Sequence, residues 1–216
     1  AASLAPSSYA DVDPEDPRAA APRGSKGAPV LSEGIERIGA DALRSLAHDG
    51  KGVVIAVLDL GFGGTRIPAL QAAKELPGAA HLQMQSFDSA YGIAGRNAYG
   101  NLTNHGELVA QTVYDYAPRA TYVFVNYHTE QDFQAAVNWL IERRPDVVVH
   151  SNSFLEGPFD GTGDAAQAVD RASASGISWV NSAGNYAQKS WQGPWVDANQ
   201  DDTLDWPITG EWTFDT

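Results

Sequence analysis

Short apolar runs alternate with segments of helical periodicity along most of this chain. The runs predict five strands, at Val53–Leu58, His81–Phe87, Ala120–Asn126, Asp146–Ser151 and Ile177–Ser182. The first run is apolar at every position, as is typical of a strand that is buried on both faces of a parallel sheet.

Helices are predicted in the intervals between these strands. In the helix that begins at Asn104, residues Val109, Val113 and Tyr116 have the i, i+4, i+7 spacing of a buried stripe. The segment Thr129–Asp132 resembles a capping box that opens another helix. The other helices are predicted at about Ala40–Ala47, from Pro68 to the stop at Pro77-Gly78, and at Asp164–Ser175. Because strand and helix alternate, the predicted fold is α/β, a doubly wound parallel sheet with helices on both faces.

The composition changes at both ends of this pattern. Residues 1–30 are rich in Ala, Pro, Ser and Asp without an apolar period, which predicts a linker or the remnant of a leader. Residues 31–190 are predicted to form the α/β domain. Residues 191–216 interleave tryptophans with acidic residues and are interpreted as the start of a β-rich insertion. We expect the C-terminal part of the domain to be missing from these 216 residues.

Charge and residue usage exclude several classes of function. The formal net charge is −13, and a surface this acidic repels phosphate, so no nucleic-acid partner is expected. The chain contains no cysteine, which excludes disulfides, thiolate metal sites and a cysteine nucleophile. No apolar run is long enough to predict a membrane span, and no signal peptide is visible.

Three polar residues are predicted near the carboxyl edge of the sheet, where open parallel sheets bind ligands. Asp59 follows the first strand directly, and a buried carboxylate there needs a partner, such as an imidazole N–H, a loop backbone or a metal. His105 follows a predicted cap, Asn104, at a helix start, where the helix dipole favours a neutral ring suited to a general base. Taken alone, it is equally compatible with an exposed histidine. Asn185 is either an amide donor to an oxyanion or a turn residue after Gly184.

The three segments that contain Asp59, His105 and Asn185, taken in this order, resemble subtilisin-like (S8) serine proteases. The resemblance covers about Val30 to Gly193. Val54–Asp59 with Gly61 is similar to the family's catalytic-aspartate strand, V-[AL]-[VI]-[LI]-D-[ST]-G. Asn104–Ala110 resembles its catalytic-histidine helix, H-G-T-x-V-A, and Trp179–Asn185 resembles its oxyanion segment, V-x-[AS]-A-G-N.

The resemblance implies a secreted or cell-surface endopeptidase that acts on polypeptides and requires no cofactor. Asp59 would orient the imidazole, His105 would act as general base and then general acid, and Asn185 would bind the oxyanion. The strand Asp146–Ser151 and the loop to Gly157 would line an extended peptide substrate.

The chain departs from the family pattern at three points. Residue 107 is Glu where the family usually has Thr, and residue 60 is Leu where Ser or Thr is common. The family's nucleophile motif, G-T-S-x-[AM], is absent. In the family this serine comes well after the oxyanion asparagine, so we expect it beyond Thr216 and expect these residues alone not to hydrolyse peptides.

Other interpretations remain open from the sequence. A non-catalytic α/β binding or regulatory module would keep the fold without the chemistry. Gly61–Gly64 after a strand is weakly similar to a phosphate-binding turn, but the third spaced glycine of the dinucleotide fingerprint is absent. Asp197–Asp202 has the early oxygen spacing of a calcium loop without its later glycine and glutamate, so structural calcium is compatible with the sequence but not required.

Overall fold

The computed structural model describes residues 30–32, 34–46, 48–97, 99–154, 158, 160–185, 198 and 200. The chain divides into two compact units, Ala1–Asn185 and Tyr186–Thr216, and almost all described residues belong to the first. The linker predicted at residues 1–30 lies outside the described residues, apart from Val30. The insertion predicted at residues 191–216 also lies outside them, apart from residues 198 and 200.

The described residues form a five-stranded parallel sheet in the order β2-β3-β1-β4-β5. The strands are β1 (Val54–Asp59), β2 (Leu82–Ser86), β3 (Thr121–Asn126), β4 (Val147–His150) and β5 (Ser178–Asn181). Each lies within one residue of its predicted ends, and β1 extends one residue further than predicted, through Asp59. All five strands run in the same direction, so their carboxyl ends form one edge.

The described part of the chain contains six helices, two before β1 and four between the strands. They are α1 (Gly34–Arg37), α2 (Ala40–Ser45), α3 (Ile67–Ala72), α4 (His105–Tyr116), α5 (Glu130–Arg143) and α6 (Asp164–Ala174), with short 3₁₀ turns at Ala79–His81 and Gly92–Ala94. The helix α1 and both 3₁₀ turns are additions to the predicted elements. None of the described helices is long and apolar enough to cross a membrane.

Strand β1 is the centre of the sheet and separates two apolar layers. Its residues Ile55–Leu58 are at most 6% exposed. Leu58 belongs to the layer with Phe133 of α5, whereas Val57 belongs to the opposite layer with Phe124 and Leu70 of α3. Apolar residues therefore occur at every position of β1 because both faces are covered. The predicted α/β fold with helices on both faces is confirmed.

Side-chain caps position two of the helices that follow the strands. At α5 the predicted capping box is present: Asp132 N–H donates to Thr129 Oγ1, and Thr129 N–H donates to Asp132 Oδ2. At α4, Asn104 occupies the predicted N-cap position, but its side chain makes no capping hydrogen bond among the described residues. Instead, the backbone N–H of His105 donates to Thr103 Oγ1 at 3.2 Å.

Candidate active site

Asp59 and His105 form a direct pair at the carboxyl edge of the sheet. Asp59 ends β1 and is fully buried, and His105 is the first residue of α4. The His105 Nδ1 atom lies 2.8 Å from Asp59 Oδ2 and 3.0 Å from Oδ1. An ionised carboxylate only accepts hydrogen bonds, so Nδ1 carries the proton. In the neutral ring, Nε2 is then unprotonated and able to accept a proton.

Backbone hydrogen bonds hold both partners of this pair. Asp59 Oδ1 also accepts from the N–H of Leu60 at 2.8 Å. Behind His105, the N–H of Gly106 donates to the carbonyl of Gly61 at 2.9 Å. The first turn of α4 is therefore bonded to the loop that follows Asp59, and the imidazole and the carboxylate are held from both sides.

The turn Gly92–Ala94 packs against this loop and was not predicted from the sequence. The N–H of Phe62 donates to the carbonyl of Ile93 at 3.0 Å. Gly95 has a φ of 64°, and a β-carbon there would lie 2.0 Å from the Leu60 carbonyl oxygen. Only glycine allows this backbone approach, which closes the loop against the carboxyl end of β1.

Glu107 is a buried carboxylate two residues beyond His105. It is fully buried, and neither of its side-chain oxygens has a hydrogen-bond partner among the described residues. The Nη1 atom of Arg66 lies 3.5 Å from Glu107 Oε1, and the Arg66 side chain is 41% exposed. Burial raises the pKa of Glu107, and the nearby Arg66 guanidinium opposes that shift.

A second histidine, His150, lies close to the pair, within the strand predicted at Asp146–Ser151. It is 3% exposed at the end of β4. Its Nε2 atom lies 2.8 Å from the hydroxyl of Tyr127, and its Nδ1 atom lies 2.6 Å from Asn181 Oδ1. Burial lowers the pKa of His150, against opposing effects of the Asn181 hydrogen bond and the Asp59 charge. Strand periodicity shows that His150 is buried but does not reveal these partners.

Asn185, the third predicted site residue, is exposed and lies four residues beyond the end of β5. Gly184 before it has a φ of 80°, so the chain turns there. Within the described part of the chain, Asn185 makes no hydrogen bond to Asp59 or His105. The structure therefore joins two of the three predicted residues directly and places the third beyond β5, at the same edge of the sheet.

The described residues contain no cluster of three or more His, Asp or Glu side chains that could hold a metal ion. The segment Asp197–Asp202, which the sequence leaves compatible with calcium, lies outside them, apart from residues 198 and 200. The loop at Gly61–Gly64 is occupied by backbone contacts, since the N–H of Gly63 donates to the carbonyls of Ala94 and Thr103. This N–H is therefore not free to bind a phosphate.

Comparison with known proteins identifies one family. The model of the subtilase family (Peptidase_S8) matches residues 50–213. No curated protein matches the sequence. Among solved structures, the prenylagaramide maturation protease PagA is similar at 12% identity and a TM-score of 0.37, over 66% of this chain and 50% of that one. This chain thus spans about half the length of that structure.

Proposed function

The chain belongs to the subtilase family of serine proteases, and we propose that it contributes the acid, the base and the oxyanion donor of a serine endopeptidase. The observation that carries the proposal is the Asp59–His105 pair, in which Nδ1 is bonded to a buried carboxylate, so that Nε2 is the nitrogen that accepts a proton. The family match supports a serine protease in general, and the roles of Asp59, His105 and Asn185 are what we propose beyond it.

In the proposed reaction, His105 Nε2 takes the proton of a serine hydroxyl as that oxygen attacks the scissile carbonyl carbon. The buried Asp59 carboxylate stabilises the imidazolium, which then protonates the leaving amine. The side-chain amide of Asn185 donates to the oxygen that becomes negative in the tetrahedral intermediate. Water repeats the sequence on the acyl-enzyme and releases the second product.

The nucleophilic serine lies outside these 216 residues in this proposal, because no G-T-S-x-[AM] segment occurs within them. Residues 31–190 then form the N-terminal part of the catalytic domain, and residues 191–216 begin a β-rich insertion. The substrate is a polypeptide at the cell surface or in the medium, bound in extended form beside β4. The acidic net charge of −13 supports a protein rather than a nucleic-acid substrate.

Labelling with a fluorophosphonate, which reacts with activated serines, tests this proposal on the product of the full coding sequence. The unmodified protein should be labelled at one serine beyond Thr216, and the His105→Ala variant should not be labelled. His81→Ala is the matched control, because His81 is an exposed residue at the end of a 3₁₀ turn. Its labelling should equal that of the unmodified protein.

A folded full-length protein that is not labelled would contradict the endopeptidase proposal. It would favour the non-catalytic binding module considered from the sequence. Equal labelling of the His105→Ala variant would contradict the role given to that residue while leaving a serine hydrolase in place.

A further inference from the structure

A chain of hydrogen bonds connects the carboxyl ends of four neighbouring strands. The backbone N–H of Tyr127, just beyond β3, bonds to the carbonyl of Asp59 on β1 at 3.2 Å. The Tyr127 hydroxyl bonds to His150 on β4 at 2.8 Å, and His150 bonds to Asn181 on β5 at 2.6 Å. The connection therefore runs from the acid of the proposed triad to the strand that precedes Asn185.

The direction of the hydrogen bonds from Tyr127 through His150 to Asn181 can be assigned. Asn181 Nδ2 donates to the carbonyl of Ser182 at 2.9 Å, which fixes the orientation of the amide and turns Oδ1 towards His150. An amide oxygen only accepts, so His150 donates from Nδ1. In the neutral ring Nε2 then accepts from the Tyr127 hydroxyl. Both nitrogens of this buried imidazole are satisfied by one tautomer.

The surroundings of His150 favour the neutral ring that this assignment requires. Aromatic rings pack around it, with centroids 5.3 Å away for Phe133, 5.9 Å for Trp179 and 6.3 Å for Phe154. Charged and titratable groups act on it from three sides: Asp59 from β1, His105 from α4 and the Tyr127 hydroxyl from beyond β3. A phenylalanine would fill this apolar volume equally well, so packing alone does not account for an imidazole bonded at both nitrogens.

His150 holds β5 by its backbone as well as by its side chain. The N–H of Ser182 donates to the His150 carbonyl at 3.1 Å, next to the Asn181 side-chain bond. Asn185 lies only three residues after Ser182, at the end of the short segment Ser182-Ala183-Gly184. The last residue of β5 and the residue after it are therefore both bonded to position 150.

We propose that His150 is a positioning residue, which, together with Tyr127 and Asn181, holds the Asn185 segment at a fixed distance from Asp59. The inference rests on the proposed function, because it takes Asn185 as the oxyanion donor. His150 itself does not touch the substrate. It acts by keeping Asp59, on β1, and Asn185, beyond β5, at a fixed distance from each other across β4.

Two variants break this series of hydrogen bonds. Tyr127→Phe removes the hydroxyl that donates to His150 with little change of volume, and Asn181→Ala removes the oxygen that accepts from His150, at an exposed position. Tyr122→Phe is the matched control. Tyr122 is also a fully buried tyrosine, and its hydroxyl donates to the carbonyl of Ala117, at the end of α4.

The first measurement is hydrogen–deuterium exchange on the folded protein, which requires no activity. Exchange at the backbone amides of residues 182–185 should become faster in Tyr127→Phe and in Asn181→Ala, and should be unchanged in Tyr122→Phe. The second is turnover of a peptide substrate by the full-length protein. The loss of one neutral hydrogen bond should lower kcat by roughly 3- to 10-fold with KM nearly constant, because the oxyanion forms only in the transition state.

The two measurements separate failure of this inference from failure of the proposed function. Unchanged exchange at residues 182–185 in both variants would overturn the positioning role of His150, whatever the activity. A full-length protein that is never labelled by fluorophosphonate would overturn the endopeptidase proposal and, with it, the catalytic meaning of the positioning. Equal losses of kcat in Tyr127→Phe and Tyr122→Phe would also overturn the inference, because they would indicate a general loss of stability.

Discussion

Gly106 lies so close to Asp59 that a β-carbon built on the glycine would be 2.7 Å from the β-carbon of the aspartate. The same β-carbon would lie 2.8 Å from the carbonyl oxygen of Gly61 and 2.9 Å from Phe62 Cε1. Because Gly106 follows His105 directly, this approach brings the start of α4 against the end of β1. The short Asp59–His105 hydrogen bonds depend on the absence of a side chain at position 106.

The substitution Gly106→Ala should therefore displace α4 from β1. Two of the three close contacts involve backbone or a Cβ atom, which cannot move aside as a flexible side chain would. We expect a loss of about 1–3 kcal/mol in the free energy of unfolding, typical of an overpacked site. Urea denaturation measures this loss, and serine labelling of the full-length protein should fall with it.

Gly78→Ala is the control for this substitution. A β-carbon at Gly78 would meet no atom within 4 Å, and its φ of −60° suits any residue. This variant should keep or slightly increase stability. Equal destabilisation by both substitutions would show that the contact with Asp59 is not the cause.

The strands could be predicted because burial of the sheet leaves a direct trace in the sequence. Strand β1 is covered on both faces and is accordingly apolar from Val54 to Leu58, with Asp59 as its last residue. The position of Asp59 immediately after an apolar run, and of His105 at a helix start, could be recognised in the same way. Strand order and the distance between these two residues depend on tertiary packing, which no local pattern encodes.

The contacts that surround the pair could not be predicted for the same physical reason. His150 looks like any buried strand residue in sequence, and its partners Tyr127 and Asn181 lie 23 and 31 positions away. Glu107 follows a polar helix start, where a carboxylate is normally exposed and favoured by the helix dipole. In the structure it is nevertheless fully buried, and its Oε2 atom lies 3.6 Å from a β-carbon built on Gly63, in the loop after β1.

Glu107→Gln should change how stability depends on pH. Burial raises the pKa of Glu107 in the folded protein above the value of about 4.3 expected in the unfolded chain. The contribution of Glu107 to the free energy of unfolding is fully present below its pKa in the unfolded chain. It is lost as the pH rises through its raised pKa in the folded protein. Glutamine does not titrate, so the variant should gain stability relative to the unmodified protein as pH rises across that window.

Urea denaturation at several pH values from about 4 to 8 measures this difference for Glu107→Gln. Glu142→Gln is the control, since Glu142 is exposed on α5. Its pH profile of stability should run parallel to that of the unmodified protein. A constant offset between Glu107→Gln and the unmodified protein at all pH values would contradict the raised pKa of Glu107.

Asp59→Asn should abolish the base without disturbing the fold. The amide nitrogen of asparagine can donate to His105 Nδ1, which then stabilises the tautomer with its proton on Nε2. That tautomer cannot accept the serine proton. In chymotrypsin-like proteases the equivalent change lowers turnover about 10⁴-fold, and we expect a comparable loss of kcat in the full-length protein.

Asp49→Asn controls for the loss of a carboxylate elsewhere in the chain. Asp49 pairs with the exposed Arg119 at 3.3 Å, in the turn before β1. Its substitution should leave kcat unchanged. If Asp59→Asn kept more than a tenth of the turnover, the 2.8 Å hydrogen bond to His105 would be structural rather than catalytic.

Asn185→Ala should lower kcat while leaving KM nearly unchanged. An oxyanion donor acts on charge that develops only in the transition state, so its removal affects turnover rather than substrate binding. For the corresponding asparagine of subtilisin, itself a member of this family, the loss is about 10²–10³ in kcat. Because Asn185 is exposed in this structure, the substitution should cost little stability, and a thermal melt of the variant checks this. Unchanged turnover with an unchanged melt would identify Asn185 as a turn residue, the alternative that its position after Gly184 also allows.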